Sequence, residues 1–232
     1  MLLEVKELVV GYKKKRVLRQ ISLDVGEGEI VGVIGHNGAG KTTLLKSLFG
    51  LLPPWSGKVV YSGRDITGRG TELNVRDGLS YMPQGQGLFP DLSVIENLQL
   101  GDYALGKKKS NVSMDQVFQL FPILKSRTRQ KAGTLSGGEQ RMLSLGLILM
   151  QSPRLLLLDE PSIGLAPVIV QNVMETIREV NSRLKTGIMM VEQNIDATSS
   201  IVNRIFIIKV GQIVFSGSSD IARDKRKLWE LF

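Results

Sequence analysis

The chain has 232 residues, of which 42% are hydrophobic and 22% are charged, and its formal net charge is +8. This balance is typical of a globular protein that is large enough to bury a substantial core. The absence of cysteine and the single histidine exclude disulfides, thiolate nucleophiles and a zinc site built from these residues.

No part of the sequence approaches the roughly 18 consecutive apolar residues that a membrane-spanning helix requires. The first segment carries charges at Glu4, Lys6 and Glu7, which a secretory signal would not. We therefore expect a cytoplasmic protein that does not cross a membrane by itself.

The positive charge is concentrated in three short runs, Lys13–Arg16, Lys107–Lys109 and Asp224–Lys227. Aromatic residues are not interleaved within these runs, as a surface that stacks on bases would require. We interpret the runs as solvated turns and a charged tail, and we expect no nucleic-acid partner.

The first third of the chain alternates predicted strands with one helix. The strands are LLEVKELVV, ISLDV, EIVGVIG, GKVVYSG and GLSYMPQ (Gly78–Gln84), and the helix spans Lys41–Phe49. Between Val94 and Leu135 the pattern becomes helical, with predicted helices at Val94–Tyr103 and Met114–Leu120, which indicates a small helical insertion.

The rest of the chain again alternates helices with apolar strands. The order is a helix at Gly137–Met150, the strand RLLLLDE, a helix at Val168–Leu184, the strand GIMMVEQ, a short helix, and the strands RIFIIKV and QIVFSG. This alternation predicts an α/β domain with a largely parallel core sheet. No low-complexity linker divides the sequence, so we predict one domain over residues 1–232.

The segment GHNGAGKT, Gly35–Thr42, matches G-x-x-x-x-G-K-[ST] between a predicted strand and a predicted helix. Its glycines let main-chain amides close around a phosphate, and the N-terminus of the helix adds positive potential. Lys41 supplies a full charge to the terminal phosphates, the Thr42 hydroxyl suits Mg²⁺, and Thr43 can reach a nearer phosphate. The predicted phosphate-binding residues are Gly35, Asn37, Gly38, Ala39, Gly40, Lys41, Thr42 and Thr43. His36 occupies an unconstrained position of the motif, and we interpret its side chain as a bystander.

A second cluster of candidate residues lies in LLLLDEP, Leu155–Pro161, an apolar strand that ends in two acids. Neighbouring side chains on a strand point to opposite faces, so we expect Asp159 and Glu160 to have different tasks. Asp159 suits Mg²⁺, and Glu160 is predicted to position or deprotonate the water that attacks a γ-phosphate.

The segment LSGGEQ, Leu135–Gln140, taken with the phosphate loop, LLLLDEP and a strand-end Gln84, resembles the ATP-binding subunits of ABC transporters. The resemblance covers essentially the whole chain. It implies an α/β P-loop NTPase fold with an antiparallel β region near the N-terminus, a helical subdomain over residues 85–131, and ATP and Mg²⁺ as cofactors. It also implies that Ser136, Gly137 and Gly138 contact the γ-phosphate held by a second copy in a head-to-tail dimer.

The resemblance assigns roles to further single residues. Tyr12 matches the aromatic residue that stacks on adenine, and Gln84 matches the glutamine that reaches Mg²⁺ and the attacking water. The implied catalytic residues are Glu160, Gln84 and Gln193, and the implied metal ligands are Thr42, Gln84 and Asp159. The helical insertion resembles the part that docks on a transmembrane partner.

Two positions depart from the family pattern. Gln193 in VEQN stands where the family usually has a histidine that senses the γ-phosphate, and glutamine can donate a hydrogen bond but cannot carry a proton at neutral pH. Ala166 stands where an aspartate is common, in the loop that touches the opposite site. We expect the loss of this aspartate to alter communication between the two sites.

The segments EPSIGLAP and VEQN resemble one branch of the family, the ATPases of importers for branched-chain amino acids and related urea or amide compounds. The expected partners are a second ATPase subunit, transmembrane permease subunits and a periplasmic or extracellular solute-binding protein. The expected location is the inner face of the cell membrane. Three alternatives stay open: export of a lipid or polysaccharide, a non-transport ATPase acting on ribosomes or DNA, and a binding switch with little turnover.

Overall fold

The computed structural model describes residues 1–85, 87–104 and 110–223. Its strands form two sheets, and their bounds are β1 (Leu3–Tyr12), β2 (Lys15–Val25), β3 (Ile30–Ile34), β4 (Ser56–Tyr61), β5 (Arg64–Asp65), β6 (Leu79–Met82), β7 (Leu155–Asp159), β8 (Gly187–Glu192), β9 (Arg204–Lys209) and β10 (Gln212–Ser218). Two of the predicted basic segments, 107–109 and 224–227, lie outside the described residues.

The first sheet is antiparallel and has the strand order β2-β1-β4-β5. The second has the order β10-β9-β3-β8-β7-β6, and all of its pairs are parallel except β9 with β10. The predicted fold class is confirmed, with a mostly parallel core sheet and a separate antiparallel region. Strands β3, β7 and β8 are buried along their whole length, as expected for parallel strands that are covered on both faces.

The helices are α1 (Lys41–Phe49), α2 (Thr71–Arg76), α3 (Val94–Tyr103), α4 (Met114–Leu120), α5 (Pro122–Ser126), α6 (Gly137–Leu149), α7 (Pro167–Leu184) and α8 (Ile195–Ser199). The bounds predicted for α1, α3 and α4 are confirmed. Helices α3 to α5 lie within residues 85–131, the range that we interpret as an inserted subdomain. Among the residues with described coordinates, no helix combines the length and apolar character that a membrane crossing requires.

Several predicted bounds need correction. Strand β6 ends at Met82 rather than Gln84, because Pro83 has no amide to donate to a sheet. Helix α7 begins at Pro167, one residue earlier than predicted, since proline fits the first turn of a helix. The short elements β5, α2 and α5 escaped the sequence analysis, because two to six residues carry too little periodicity to be recognised.

Two hydrophobic clusters lie on opposite faces of the parallel sheet. Along β7, Leu156 and Leu158 join one cluster with α3 to α7, whereas Leu155 and Leu157 join the other with the antiparallel sheet and α1. This alternation follows from the two-residue repeat of a strand. The sheet is thereby fixed on both faces, and the loops at the carboxyl ends of β3, β7 and β8 form one edge.

Candidate active site

The loop 35–40 leaves β3 and leads directly into α1. Gly38 has φ 80° and Gly40 has φ 108°, both in the left-handed region that favours glycine. A Cβ on Gly40 would also lie 2.6 Å from Cδ2 of Leu18, so no larger residue fits there without displacement. These two glycines allow the chain to curl back on itself, and the Ala39 amide donates to the His36 carbonyl at 3.1 Å.

Lys41 is the first residue of α1, and only 4% of its side chain is exposed. Its ammonium group donates to the carbonyls of Gly35 at 2.7 Å and His36 at 3.1 Å. The same nitrogen lies 3.1 Å from Oε1 of Glu160. A full positive charge is therefore fixed inside the loop and faces the acid that follows β7.

Glu160 lies beyond the end of β7 at φ 47°, not within the strand as predicted. Its amide still donates to the Val191 carbonyl at 3.0 Å, as the parallel pairing of Asp159 with Val191 requires, and the left-handed backbone at Glu160 then turns the chain away from the sheet. Because Glu160 is outside the strand, its direction is set by this turn and not by the alternation of side chains that we used to separate it from Asp159. Its Oε2 atom accepts a hydrogen bond from Nε2 of Gln84 at 3.2 Å.

Asp159 is fully buried, and hydroxyl groups donate to both of its carboxylate oxygens. Thr42 donates to Oδ1 at 3.0 Å and Tyr81 donates to Oδ2 at 2.9 Å. Burial raises the pKa of Asp159, and these two hydrogen bonds oppose the change. Burial also raises the pKa of Tyr81, and the neighbouring charge of Asp159 adds to this. Tyr81 therefore stays protonated and acts as a donor to the carboxylate.

The donor set of Thr42 and Asp159 fits Mg²⁺. Both supply oxygen, which this ion prefers, and Mg²⁺ is commonly held by one or two protein oxygens together with substrate phosphates. Within the described ranges, no group of three or more histidine, aspartate or glutamate residues could hold a metal by itself. The chemistry of the site therefore suits an ion that arrives with a phosphorylated substrate.

A pocket of about 320 Å³ lies between the phosphate loop and Glu160, and the buried Asp159 is not among the residues that line it. It is lined by Val17, Asn37, Gly38, Gly40, Lys41, Thr42, Thr43, Gln84 and Glu160. Predicted residues from three separate parts of the sequence thus meet at one cavity. The predicted residues Gly35 and Ala39 belong to the same loop, but they do not line this pocket.

The segment Ser136–Gly138 begins α6 away from this pocket. The Glu139 amide donates to Oγ of Ser136 at 3.4 Å, and the Ser136 amide donates to Oε2 of Glu139 at 2.8 Å. This reciprocal pair caps the helix N-terminus. A Cβ on Gly138 would lie 2.8 Å from Cγ2 of Ile169, so the segment packs closely against the start of α7.

Comparison with known proteins decides the family. The family described as ABC transporter matches residues 18–163, a range that contains the phosphate loop, the Ser136–Gly138 segment and both acids. The chain belongs to the ABC transporter family. It is an ATP-hydrolysing subunit of that family.

Curated relatives of this ABC ATPase align over most of their length. It is 43% identical to a high-affinity branched-chain amino acid transport ATP-binding protein, BraG, of Pseudomonas aeruginosa, with 88% of this chain and 87% of the relative aligned. It is 34% identical to a probable branched-chain amino acid transport ATP-binding protein, LivF, of Archaeoglobus fulgidus, with 99% of this chain and 98% of the relative aligned. It is also 33% identical to the lipopolysaccharide export system ATP-binding protein LptB of Acidithiobacillus ferridurans, with 94% of this chain and 90% of the relative aligned.

Solved structures show the same fold. An ATP-binding subunit of an ABC transporter superposes with a TM-score of 0.83 at 27% identity, covering 100% of this chain and 98% of that one. A dimeric bacterial ABC transporter cassette superposes with a TM-score of 0.80 at 22% identity, covering 94% and 98%. The second likeness, at this identity, concerns the fold alone.

Tyr12 and Gln193 also lie outside the phosphate pocket of this ABC ATPase. Tyr12 ends β1, pairs with Lys15 and is 46% exposed. Gln193 is exposed and lines a second pocket of about 640 Å³ beside the first, and Glu160 lines both pockets. Ala166 is the N-cap of α7. Its methyl group cannot accept hydrogen bonds from the first amides of the helix, as an aspartate side chain would.

Sequence reasoning missed three polar residues around the site: the partly buried Tyr81 and the buried Arg141 and Glu192. Glu192 gave a signal that could have been used, because MMVEQ, like LLLLDE, is an apolar strand that ends in an acid. Tyr81 gave none, since its role depends on the pairing of β6 with β7. Arg141 lies within α6, where an arginine is ordinarily exposed.

Proposed function

We propose that this ABC ATPase binds Mg-ATP in the 320 Å³ pocket, with the phosphates against the loop Gly35–Thr43. The arrangement of Lys41, Thr42, Gln84 and Glu160 around one cavity, with the buried Asp159 bonded to Thr42, is the observation that carries the proposal. The amides of the loop and the α1 N-terminus supply hydrogen bonds to phosphate oxygens, and Lys41 supplies charge. The exposed ring of Tyr12 is available to stack on adenine.

Glu160 is proposed as the group that orients and deprotonates the attacking water. Its carboxylate is held from both sides, by the Lys41 ammonium at one oxygen and by the Gln84 amide at the other. An acid that is fixed in this way needs little reorganisation before proton transfer. In this proposal Gln193, which lines the second pocket together with Glu160, donates to a γ-phosphate oxygen.

Thr42, Asp159 and Gln84 are the residues that would hold Mg²⁺ in this proposal. The ion would neutralise charge on the β- and γ-phosphates. Tyr81 keeps the Asp159 carboxylate oriented towards Thr42 through the hydrogen bond to Oδ2.

The site is proposed to be completed by a second ATPase subunit, either identical or related. Ser136, Gly137 and Gly138 do not line the phosphate pocket of their own chain. The first amides of a helix have no partner within it, so the α6 N-terminus can receive a phosphate held by another subunit. A bacterial cassette of the same fold has been solved as a dimer.

The transported solute is proposed to be a branched-chain amino acid or a related small amide, moved inward through permease subunits at the inner face of the membrane. The sequence likeness to BraG and LivF supports this class. In this proposal a solute-binding protein delivers the substrate, and helices α3 to α5 contact the permease. The likeness to LptB makes lipopolysaccharide export the second candidate.

Reconstitution would test the transport proposal. The chain would be co-purified with the permease proteins encoded beside it and inserted into liposomes, with the Glu160→Gln variant as the inactive control. We expect ATP hydrolysis to rise when a binding protein loaded with leucine or isoleucine is added. Stimulation by lipopolysaccharide but not by these amino acids would favour export. Co-purification with ribosomes or DNA instead of permeases would contradict both.

A further inference from the structure

Glu192, the last residue of β8, is a buried carboxylate that none of the roles above uses. Only 2% of the residue is exposed. Its Oε1 atom accepts a hydrogen bond from the main-chain amide of Ser162 at 2.8 Å. Its Oε2 atom accepts one from the main-chain amide of Gln193 at 3.2 Å. The two oxygens therefore bind the backbones of two different loops.

Each of these loops carries a candidate catalytic residue. Ser162 lies two residues after Glu160, in the segment that leads from β7 to α7, and Gln193 follows Glu192 directly. The amide of Glu160 itself donates to the carbonyl of Val191, the neighbour of Glu192 on β8. The end of β8 thus holds the turn at Glu160 through two contacts, the Val191 carbonyl with the Glu160 amide and the Glu192 carboxylate with the Ser162 amide.

Within the described residues, the side chain of Gln193 makes no hydrogen bond, and the residue is exposed. The hydrogen bond from its main-chain amide to the Glu192 carboxylate therefore helps to fix the position of the Gln193 backbone. Glu160, Glu192 and Gln193 all line the 640 Å³ pocket. A change at Glu192 would consequently move two of the groups that face the reacting phosphate.

The negative charge of the same carboxylate also acts on Arg141, a second buried charged residue. It lies on α6, behind the Ser136–Gly138 segment, and is only 4% exposed. Its Nη1 atom donates to the carbonyl of Gly85, next to Gln84, at 2.5 Å. Burial lowers the pKa of Arg141, and the negative charge of Glu192 opposes this. The charge of Glu192 therefore helps to keep the buried Arg141 protonated.

A buried carboxylate is costly for stability, and an apolar side chain of similar volume at this position would avoid that cost. An apolar side chain would, however, leave the amides of Ser162 and Gln193 without their acceptor. We propose that Glu192 is a positioning residue for ATP hydrolysis, which holds the Glu160–Ser162 turn and Gln193 at a fixed separation. This inference rests on the proposed roles of Glu160 and Gln193.

The test compares steady-state ATP hydrolysis of the full chain with that of Glu192→Gln. A glutamine has one oxygen to accept a hydrogen bond, and its NH₂ group would face the other amide. We expect kcat to fall at least about tenfold, while KM and the affinity for ATP change less than threefold. Glu179→Gln is the matched control, because it makes the same change of charge on the exposed side of α7, and its kcat should stay within twofold of the wild type.

A double-mutant cycle separates positioning from a general structural role. If Glu192 acts partly through Gln193, the effect of Glu192→Gln on kcat should be smaller in a Gln193→Ala background than in the wild type. Equal effects in the two backgrounds, with unchanged melting temperatures, would overturn the proposal. If Glu192→Gln does not fold, Glu192→Asp replaces it in both backgrounds, because it keeps the charge on a shorter side chain.

The outcomes also distinguish this inference from the proposed function. A wild-type chain that neither binds nor hydrolyses ATP at the pocket would contradict the proposed function. A wild-type chain that hydrolyses ATP, together with a folded Glu192 variant of equal kcat, would contradict only the role of Glu192.

Discussion

The ammonium nitrogen of Lys41 lies 3.1 Å from Oε1 of Glu160, and the two side chains are only 4% and 8% exposed. The residue proposed to bind phosphate and the residue proposed to activate water thus form one buried ion pair. A phosphate that enters the pocket brings a second negative charge to Lys41. We therefore expect a bound phosphate to compete with Glu160 for the Lys41 ammonium, while the hydrogen bond from Gln84 still orients the carboxylate.

Replacement of Glu160 by glutamine should separate ATP binding from hydrolysis. Glutamine keeps an oxygen near Lys41 but cannot accept a proton, so turnover should fall by roughly 100-fold or more. ATP affinity should be retained, because Lys41 then has no carboxylate competing with the phosphates, and a nucleotide-bound dimer should accumulate. Phosphate release and gel filtration with ATP measure the two effects. The surface change Glu179→Gln is the control, since Glu179 pairs with Arg183 on the exposed side of α7. Normal hydrolysis by the Glu160→Gln variant would exclude Glu160 as the base.

Replacement of Lys41 by alanine should weaken both ATP binding and the fold. Removal of one partner of a buried ion pair leaves the other charge uncompensated and typically costs about 3–5 kcal/mol. We expect a lower melting temperature and at least a tenfold loss of ATP affinity, measured by calorimetry. The double variant Lys41→Ala/Glu160→Gln should recover much of the stability but none of the affinity. Retained ATP binding by either variant would mean that the nucleotide binds elsewhere.

Replacement of Gln193 by histidine should leave ATP hydrolysis unchanged or raise it. Both side chains can donate to a phosphate oxygen, and the hydrogen bond that positions residue 193 uses its main-chain amide. The measurement is kcat over pH 6–9, because histidine introduces a group that titrates near neutrality. Loss of all activity would show that the glutamine amide has a role that histidine cannot take.

Tyr61 should make the protein less stable in alkaline solution. It is buried in the antiparallel sheet, and burial raises its pKa from 10.0 to about 12. Between these values the unfolded chain releases the proton while the folded chain keeps it, so stability falls as the pH rises. In Tyr61→Phe this loss should be smaller, although the hydrogen bond from the hydroxyl to the Asp77 carbonyl at 3.3 Å is also removed. Thermal unfolding between pH 8 and 11 measures the difference, and parallel curves for both proteins would contradict the assignment.

The amino-acid sequence by itself determined the local elements of the site. The glycine spacing and Lys41 define a loop that ends in a helix N-terminus, and LLLLDE places two acids at the end of a buried strand. The resemblance added Gln84, Gln193 and the Ser136–Gly138 segment. These features could be recognised because each depends on residues that are close together in the chain.

Only the tertiary structure decided which side chains meet. The order β3-β8-β7-β6 brings Thr42 to Asp159 across 117 residues of sequence, and the pairing of β6 with β7 places Tyr81 on the same carboxylate. The turn at Glu160 directs the side chain of this residue to Lys41 and Gln84, a direction that the alternation of side chains along a strand does not predict. A run of apolar residues shows that a strand is buried, but it contains no information about the neighbouring strands or their register. Those are set by how the whole sheet packs between its two hydrophobic layers.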